Sequence, residues 1–203
     1  MLNKVALFCN VEQGAVIQSV DVSTIYEVPI MMHDQGMDEI ILRKMNMPLG
    51  SEPALEPWKK FLEKRDKATK EVHIKLVGKY VELPDAYKSI MESLSQAAIY
   101  HDRKLVLDMC HSEKLNDKNV AEILKGADGV VIAPGFGQRG IEGKFSALKY
   151  TRENDIPTFG ICLGMQCMVI EFARNVLGYS DANSTEMDPR TKHNIIDLME
   201  DQK

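Results

Sequence analysis

Apolar residues in this chain gather in short unbroken runs instead of alternating with polar ones. From Glu71 onward four such runs, "VHIKLVGKY", "KLVLDMC", "GVVIAP" and "PTFGIC", predict four strands, the first ending at Gly78. Unbroken apolar runs suit strands that are buried on both faces. Between and after them, "DAYKSIMESLSQAAIYH", "VAEILKGADG", "GKFSALKYTREND" and "LGMQCMVIEFARNVLG" read as helices. Asp85, after Pro84, is the predicted N-cap of the first. Gly126 and Gly178 close the second and the fourth. Strand and helix alternate, which predicts an α/β fold: a mostly parallel open sheet with helices on both faces.

The preceding third reads differently. "KVALFCNV" (Lys4 to Val11) predicts a buried strand, and the text from Asp21 to Met47 predicts helical pieces broken near Pro29 and Gly36. "PLGSEPALEP" carries three prolines in ten residues and marks a boundary. "WKKFLEKRDKATK" predicts a charged helix with a solvated face. The chain is thus expected to divide into 1–50, a linker over 51–70, and a domain over 71–203.

Composition narrows the function classes. The chain has 203 residues, 44% of them hydrophobic, and a formal net charge of -5. An acidic balance gives no support for nucleic-acid binding. No apolar run approaches the ~20 residues a membrane span needs. The N-terminus reads as a strand, without the cleavage site of a signal peptide. Four cysteines without a secretory signal are expected as free thiols in a reducing cytoplasm.

The chemistry concentrates in "FGICLG". Gly160 and Gly164 flank Cys162 at two residues on each side, in a turn from strand to helix. This has the mechanics of a nucleophile elbow, where a sharp turn and close backbone packing demand glycine. The positive end of a helix favours a thiolate, and the Leu163 N–H would face a developing oxyanion. Cys167, Cys9 and Cys110 are expected to pack in the core. "APGFGQRG" carries G-x-G-x-x-G at Gly135, Gly137 and Gly140, which raises a dinucleotide site. Pro134, the position of the strand and the lack of a downstream acid count against it. The competing reading is a loop beside Cys162 that completes an oxyanion hole. A cysteine nucleophile needs a histidine. His33, His73 and His101 read as structural or surface residues, and His193 lies in a polar tail. His111 with Glu113 has H-x-E spacing and is the candidate for a self-contained cysteine hydrolase. A non-catalytic binding or assembly module is the third reading.

"GICLGMQ" resembles the nucleophile motif of class I glutamine amidotransferases. "KVALFCNV", "DVSTIYEVP", "VGKYVELPDAYKSI", "RENDIPTFGICLGMQ" and "ANSTEMDP", in that order and spacing, resemble the CTP synthase family over essentially the whole chain. The resemblance implies glutamine hydrolysis through a thioester on Cys162. Ammonia would pass to a synthase domain where ATP phosphorylates UTP and ammonia displaces the phosphate to give CTP. GTP would activate the glutaminase step, Mg2+ would accompany ATP, and the full-length family forms homotetramers.

By residue, the resemblance assigns Leu163, Gly164, Met165 and Gln166 to the glutamine-binding run, and Gly135 and Phe136 to the facing loop. Glu186 would hold the substrate α-amino group, Lys4 the pyrimidine nucleotide, and Asp21 and Val22 the ATP adenine region. Lys88 would serve GTP activation. The chain departs from the family in four respects. The P-loop and metal-binding part is expected to precede Met1, and the triad histidine and glutamate to follow Lys203, so the chain alone is expected to be inactive. One glycine precedes Phe136 where many members have two. "CHSE" stands where members often read Ile-Asp-Ser-Glu.

Overall fold

The computed structural model describes residues 1–50, 53–199 and 201. They form two compact units, Met1–Lys67 and Ala68–Lys203. Residues 51 and 52 of the expected linker, and 200, 202 and 203 of the expected second domain, lie outside the described residues.

In the first unit the expected strand at Lys4 to Val11 is instead a helix, α1 (Leu2–Cys9). Asn10 caps it in the left-handed conformation, φ 53°, with its N–H on the Ala6 and Leu7 carbonyls. An apolar run with no neighbouring strand cannot satisfy its backbone in a sheet, whereas a helix does so internally. Cys9, expected in the core, is exposed for the same reason. A 3-10 turn, Ile25–Glu27, gives way to α2 (Val28–Asp34) beside Pro29, and α2 and α3 (Met37–Lys44) break at Gly36, both as expected. Proline fits a first turn because its missing N–H would be unpaired there anyway. α4 (Glu56–Lys67) follows the proline-rich stretch. Its Trp58 donates to the Tyr26 carbonyl at 2.7 Å, and Trp58 and Phe61 pack their rings on Tyr26. The helical part of the expected linker is therefore packed into the first unit.

The second unit is the expected α/β layer structure. β1 (Lys70–Gly78), β2 (Arg103–His111), β3 (Gly129–Ile132) and β4 (Thr158–Gly160) form a parallel sheet in the order β2-β1-β3-β4. In register, Gly78 pairs with His111, Val77 with Ile132, and Ile132 with Gly160, so the carboxyl ends of the strands align along one end of the sheet. α5 (Lys88–Tyr100) covers one face, with Ile90, Met91 and Leu94 on Leu76 and Val131. α6 (Val120–Ile123), α7 (Ile141–Glu153) and α8 (Leu163–Asn175) cover the other, burying Val77, Val130 and Ile132. Asp85 does not cap α5. It lies in a 3-10 turn, Pro84–Tyr87, and the helix starts at Lys88 without a side-chain cap. A short pair, β5 (Asn183–Ser184) and β6 (Asn194–Ile196), follows α8. No described helix is long and apolar enough to cross a membrane.

One ion pair joins α7 to α8. Arg152 meets the Glu171 carboxylate through Nε at 3.1 Å and through its terminal nitrogen at 2.9 Å, and Asn175 donates to the same carboxylate at 3.0 Å. The Glu171 side chain is only 3% exposed. A carboxylate in that position depends on its partner, since an unpaired buried charge is costly. Arg152→Leu is expected to destabilise the second unit by about 3 kcal/mol in urea unfolding. The double variant with Glu171→Leu should recover most of the loss, because it removes the orphaned charge.

Candidate active site

Cys162 occupies the turn between β4 and α8 with φ 53° and ψ -111°, outside the regions that L-residues favour. Such backbone costs about 1–3 kcal/mol and persists only where its surroundings dictate it. Here they do. The Ile161 N–H bonds the Ile132 carbonyl at 3.0 Å, the Gly164 N–H bonds the Ile161 carbonyl at 2.8 Å, and the Gln166 N–H bonds the Cys162 carbonyl at 3.1 Å. The two glycines allow the approach. A Cβ on Gly160 would stand 2.6 Å from the Gly164 carbonyl carbon, and one on Gly164 would stand 2.1 Å from the Ile132 oxygen. The result lifts the Cys162 thiol into solvent at the N-terminus of a 13-residue helix. Leu163 and Gly164 are buried behind it, Gln166 is half-buried, and Met165 is 53% exposed.

The loop after β3 faces this turn. A Cβ on Gly135 would lie 3.8 Å from a Leu163 methyl and 3.3 Å from Lys79 Cε, so the expected partners Gly135 and Leu163 are neighbours. Two buried lysines grip the loop. Lys144, 1% exposed, donates to the Ala133 carbonyl at 2.6 Å. Lys79, 5% exposed, donates to the Phe136 carbonyl and lies 5.2 Å from the centre of the Tyr80 ring. Burial pushes the Lys144 ammonium below its ordinary pKa. The nearby Cys167 and Cys162 thiols oppose that shift, and the Lys79 charge adds to it. The carbonyl and N–H flanking a trans peptide point in opposite directions. Holding the Phe136 carbonyl on Lys79 therefore turns the Gly137 N–H away from that ammonium. The Phe136 side chain itself is 79% exposed. Gly140 ends the loop as the α7 N-cap at φ 76°, packed against Ser112, so this glycine serves a helix start.

Glu186 stands exposed on a tight turn after β5. The Met187 N–H bonds the Ser184 hydroxyl at 3.1 Å, and the Asp188 N–H bonds the Ser184 carbonyl at 2.9 Å. The Met187 side chain enters the same core cluster as Leu163. Gln138 then joins turn to loop, its Nε2 donating to the Met187 carbonyl at 2.7 Å.

Other expected residues lie elsewhere. His111 ends β2 at the opposite edge of the sheet from β4, three strand spacings or roughly 14 Å away. Its Nδ1 accepts from the Glu113 N–H at 3.2 Å and its Nε2 lies 3.3 Å from Glu82, while the Glu113 carboxylate pairs with Arg139. The pairing expected of a self-contained hydrolase is not brought to Cys162. His193 is less isolated than a polar tail suggests. It bonds Asp181 at 2.6 Å and stacks on Tyr179 with centroids 4.5 Å apart. The Tyr179 N–H bonds the Ala173 carbonyl, so this pair sits by the far end of α8, a helix about 20 Å long.

Lys88 pairs with Glu92 at 3.1 Å on α5. In the first unit, Lys4 lies 6.0 Å from the Phe8 ring centre, Asp21 is exposed and Val22 half-buried. A cavity of about 510 Å³ there is lined by Glu12, Gln35, Glu39, Arg43 and Lys44 among others, and by none of those three. Sequence reasoning missed Lys79, Lys144 and Gln138. The available signal was a lysine directly after an apolar strand in "VGKY", and another at the start of an apolar helix in "EGKF".

Comparison with known proteins follows the same division. Residues 82–200 match the model of the family "Glutamine amidotransferase class-I", and residues 1–47 match "CTP synthase N-terminus". A CTP synthase of Bacteroides fragilis is 68% identical over 200 residues, covering 98% of this chain. One of Porphyromonas gingivalis is 62% identical over 203 residues, covering 100% of this chain. The chain spans 38% of the length of each. Among solved structures, the glutaminase domain of Trypanosoma brucei CTPS with bound acivicin is 38% identical, with a TM-score of 0.61 over 65% of this chain and 52% of that one.

Thiol reactivity should sort by burial. Burial pushes the Cys167 thiol up to about 11 and raises that of Cys110. In Ellman titration of the native chain, Cys162 and Cys9 should react quickly, and Cys110 and Cys167 only on unfolding. The strained turn makes a second prediction. Glycine tolerates the backbone of position 162, so Cys162→Gly should be about 1 kcal/mol more stable than Cys162→Ala in denaturant unfolding. Equal stabilities would mean the turn carries no strain.

Proposed function

The chain belongs to the class-I glutamine amidotransferase family, and we propose that it carries the glutaminase site of a CTP synthase together with the end of its synthase part. The observation that carries this reading is Cys162, held in strained backbone at a helix N-terminus with the Gly135 loop against Leu163.

The chemistry follows from that arrangement. The Cys162 sulfur attacks the side-chain carboxamide carbon of glutamine, forming a C–S bond and a tetrahedral oxyanion. The N–H groups of Leu163 and the Gly135 loop stabilise that charge, as preorganised donors do. The C–N bond then breaks, and ammonia leaves with a proton from a general acid. Water hydrolyses the thioester to glutamate and restores the thiol. Glu186 binds the substrate α-amino group as a charge-assisted partner, and Met165 and Gln166 line the remaining path.

In the whole protein, ammonia would serve ATP-dependent conversion of UTP to CTP, with Lys4 at the pyrimidine nucleotide and Asp21 and Val22 at ATP. Lys88 would answer GTP, and the assembly would be a cytoplasmic homotetramer. Mg2+ would neutralise ATP phosphates.

Turnover needs a base at Cys162. Among the described histidines of the second unit, His73 lies near Glu71, His101 against Tyr100, His111 near Glu82 and His193 on Asp181. Acivicin, named with the Trypanosoma brucei relative, is therefore the probe. It should label Cys162, with no labelling in Cys162→Ala, while steady glutamine hydrolysis by the chain alone stays at background. Failure of acivicin to modify Cys162, while iodoacetamide does, would overturn the glutamine-site reading. Sustained hydrolysis abolished by Cys162→Ala would overturn the inactivity of the chain alone.

A further inference from the structure

Glutamine must be held at both ends, with its carboxamide at Cys162 and its α-amino group at Glu186. These anchors lie on separate segments, and the β3–α7 loop packs on the Cys162 turn through Gly135 and Leu163, so the fit depends on the spacing between that loop and the Ser184–Asp188 turn. Resting on the glutamine-site reading above, we propose that Gln138 is a positioning residue that sets this spacing and so tunes affinity for substrates bearing an α-amino group.

The geometry is that of a strut. The Gln138 carbonyl accepts from the Ile141 N–H at 3.3 Å, which fixes its backbone to the first turn of α7. Its side chain reaches out from there and donates to the Met187 carbonyl at 2.7 Å. Met187 directly follows Glu186, its N–H is held by Ser184, and its side chain is buried at 8% exposure. Neither end of the strut can therefore drift freely. The neighbouring loop residues are tied elsewhere: Phe136 to Lys79, and Arg139 to Glu113 and the Tyr80 ring. Gln138 is the residue of this loop whose side chain reaches the Glu186 turn. A cavity of about 600 Å³ runs beside the contact, lined by Gln138, Asn183, Met187 and Arg190 among others. The contact is thus flanked by open space on one side.

The test uses saturation kinetics of Cys162 labelling on the whole chain. Acivicin carries an α-amino acid group, whereas iodoacetamide does not. Gln138→Met keeps the length and removes the donor. It should raise the half-saturating acivicin concentration roughly fivefold, the fold-change one net hydrogen bond is worth. The limiting labelling rate and the iodoacetamide rate should stay unchanged. Gln138→Lys, which restores a donor of sufficient reach, should return the half-saturating concentration toward the parent value. A purely structural role would move the iodoacetamide rate as well, and that pattern would overturn the proposal. So would labelling of Gln138→Met with parent kinetics, which would leave the glutamine-site reading standing. If acivicin does not label the parent chain at all, both fall together.

Discussion

The approach of Gly164 to the Ile132 carbonyl governs the second unit. No side chain fits between them, so the start of α8 rests directly on the end of β3. That contact aligns the β4–α8 turn with the β3–α7 loop, and it forces the reversal that lifts Cys162 out of the sheet. The strain at Cys162 is the local cost of putting an exposed thiol where a packed backbone would otherwise continue. The wider sheet supplies the stability that offsets it, through continuous apolar strands covered on both faces.

The loop opposite has a different construction. Its carbonyls are held by ammonium groups that have largely left water, and burial of such groups is unfavourable unless each hydrogen bond is made. Lys144 makes its bond to Ala133 and Lys79 to Phe136. The cost of desolvating two like charges is accepted in return for a loop with a fixed orientation. Glycine-rich loops gain conformational freedom from their sequence, and here side chains from β1's end and α7 take that freedom away.

The sheet, its helices and the elbow were legible in the sequence because each rests on a local rule. Apolar runs of strand length, periodic helices and glycines two residues either side of a cysteine need no knowledge of distant contacts. The errors came where tertiary context decides. "KVALFCNV" has strand composition but no strand beside it, so it coils into α1. Asp85 has cap chemistry, yet Pro84 opens a 3-10 turn before the helix can begin. The pairing of His193 with Asp181 spans the β5–β6 strap and leaves no mark in sequence spacing. Buried lysines were invisible for a related reason, since a lysine in text carries no sign of whether its tip meets water or a carbonyl.

Cys162 and Cys167 lie five residues apart on one element, one in solvent and the other fully enclosed. An oxidant that reached Cys162 would convert it to a sulfenic acid, and the enclosed Cys167 could not condense with it. Cys110, buried on the far strand of the sheet, is no better placed. Within this unit the exposed sulfur has no resolving partner, so its return to the thiol depends on small thiols from solution. The geometry that brings the sulfur into solvent also leaves it without protection against peroxide.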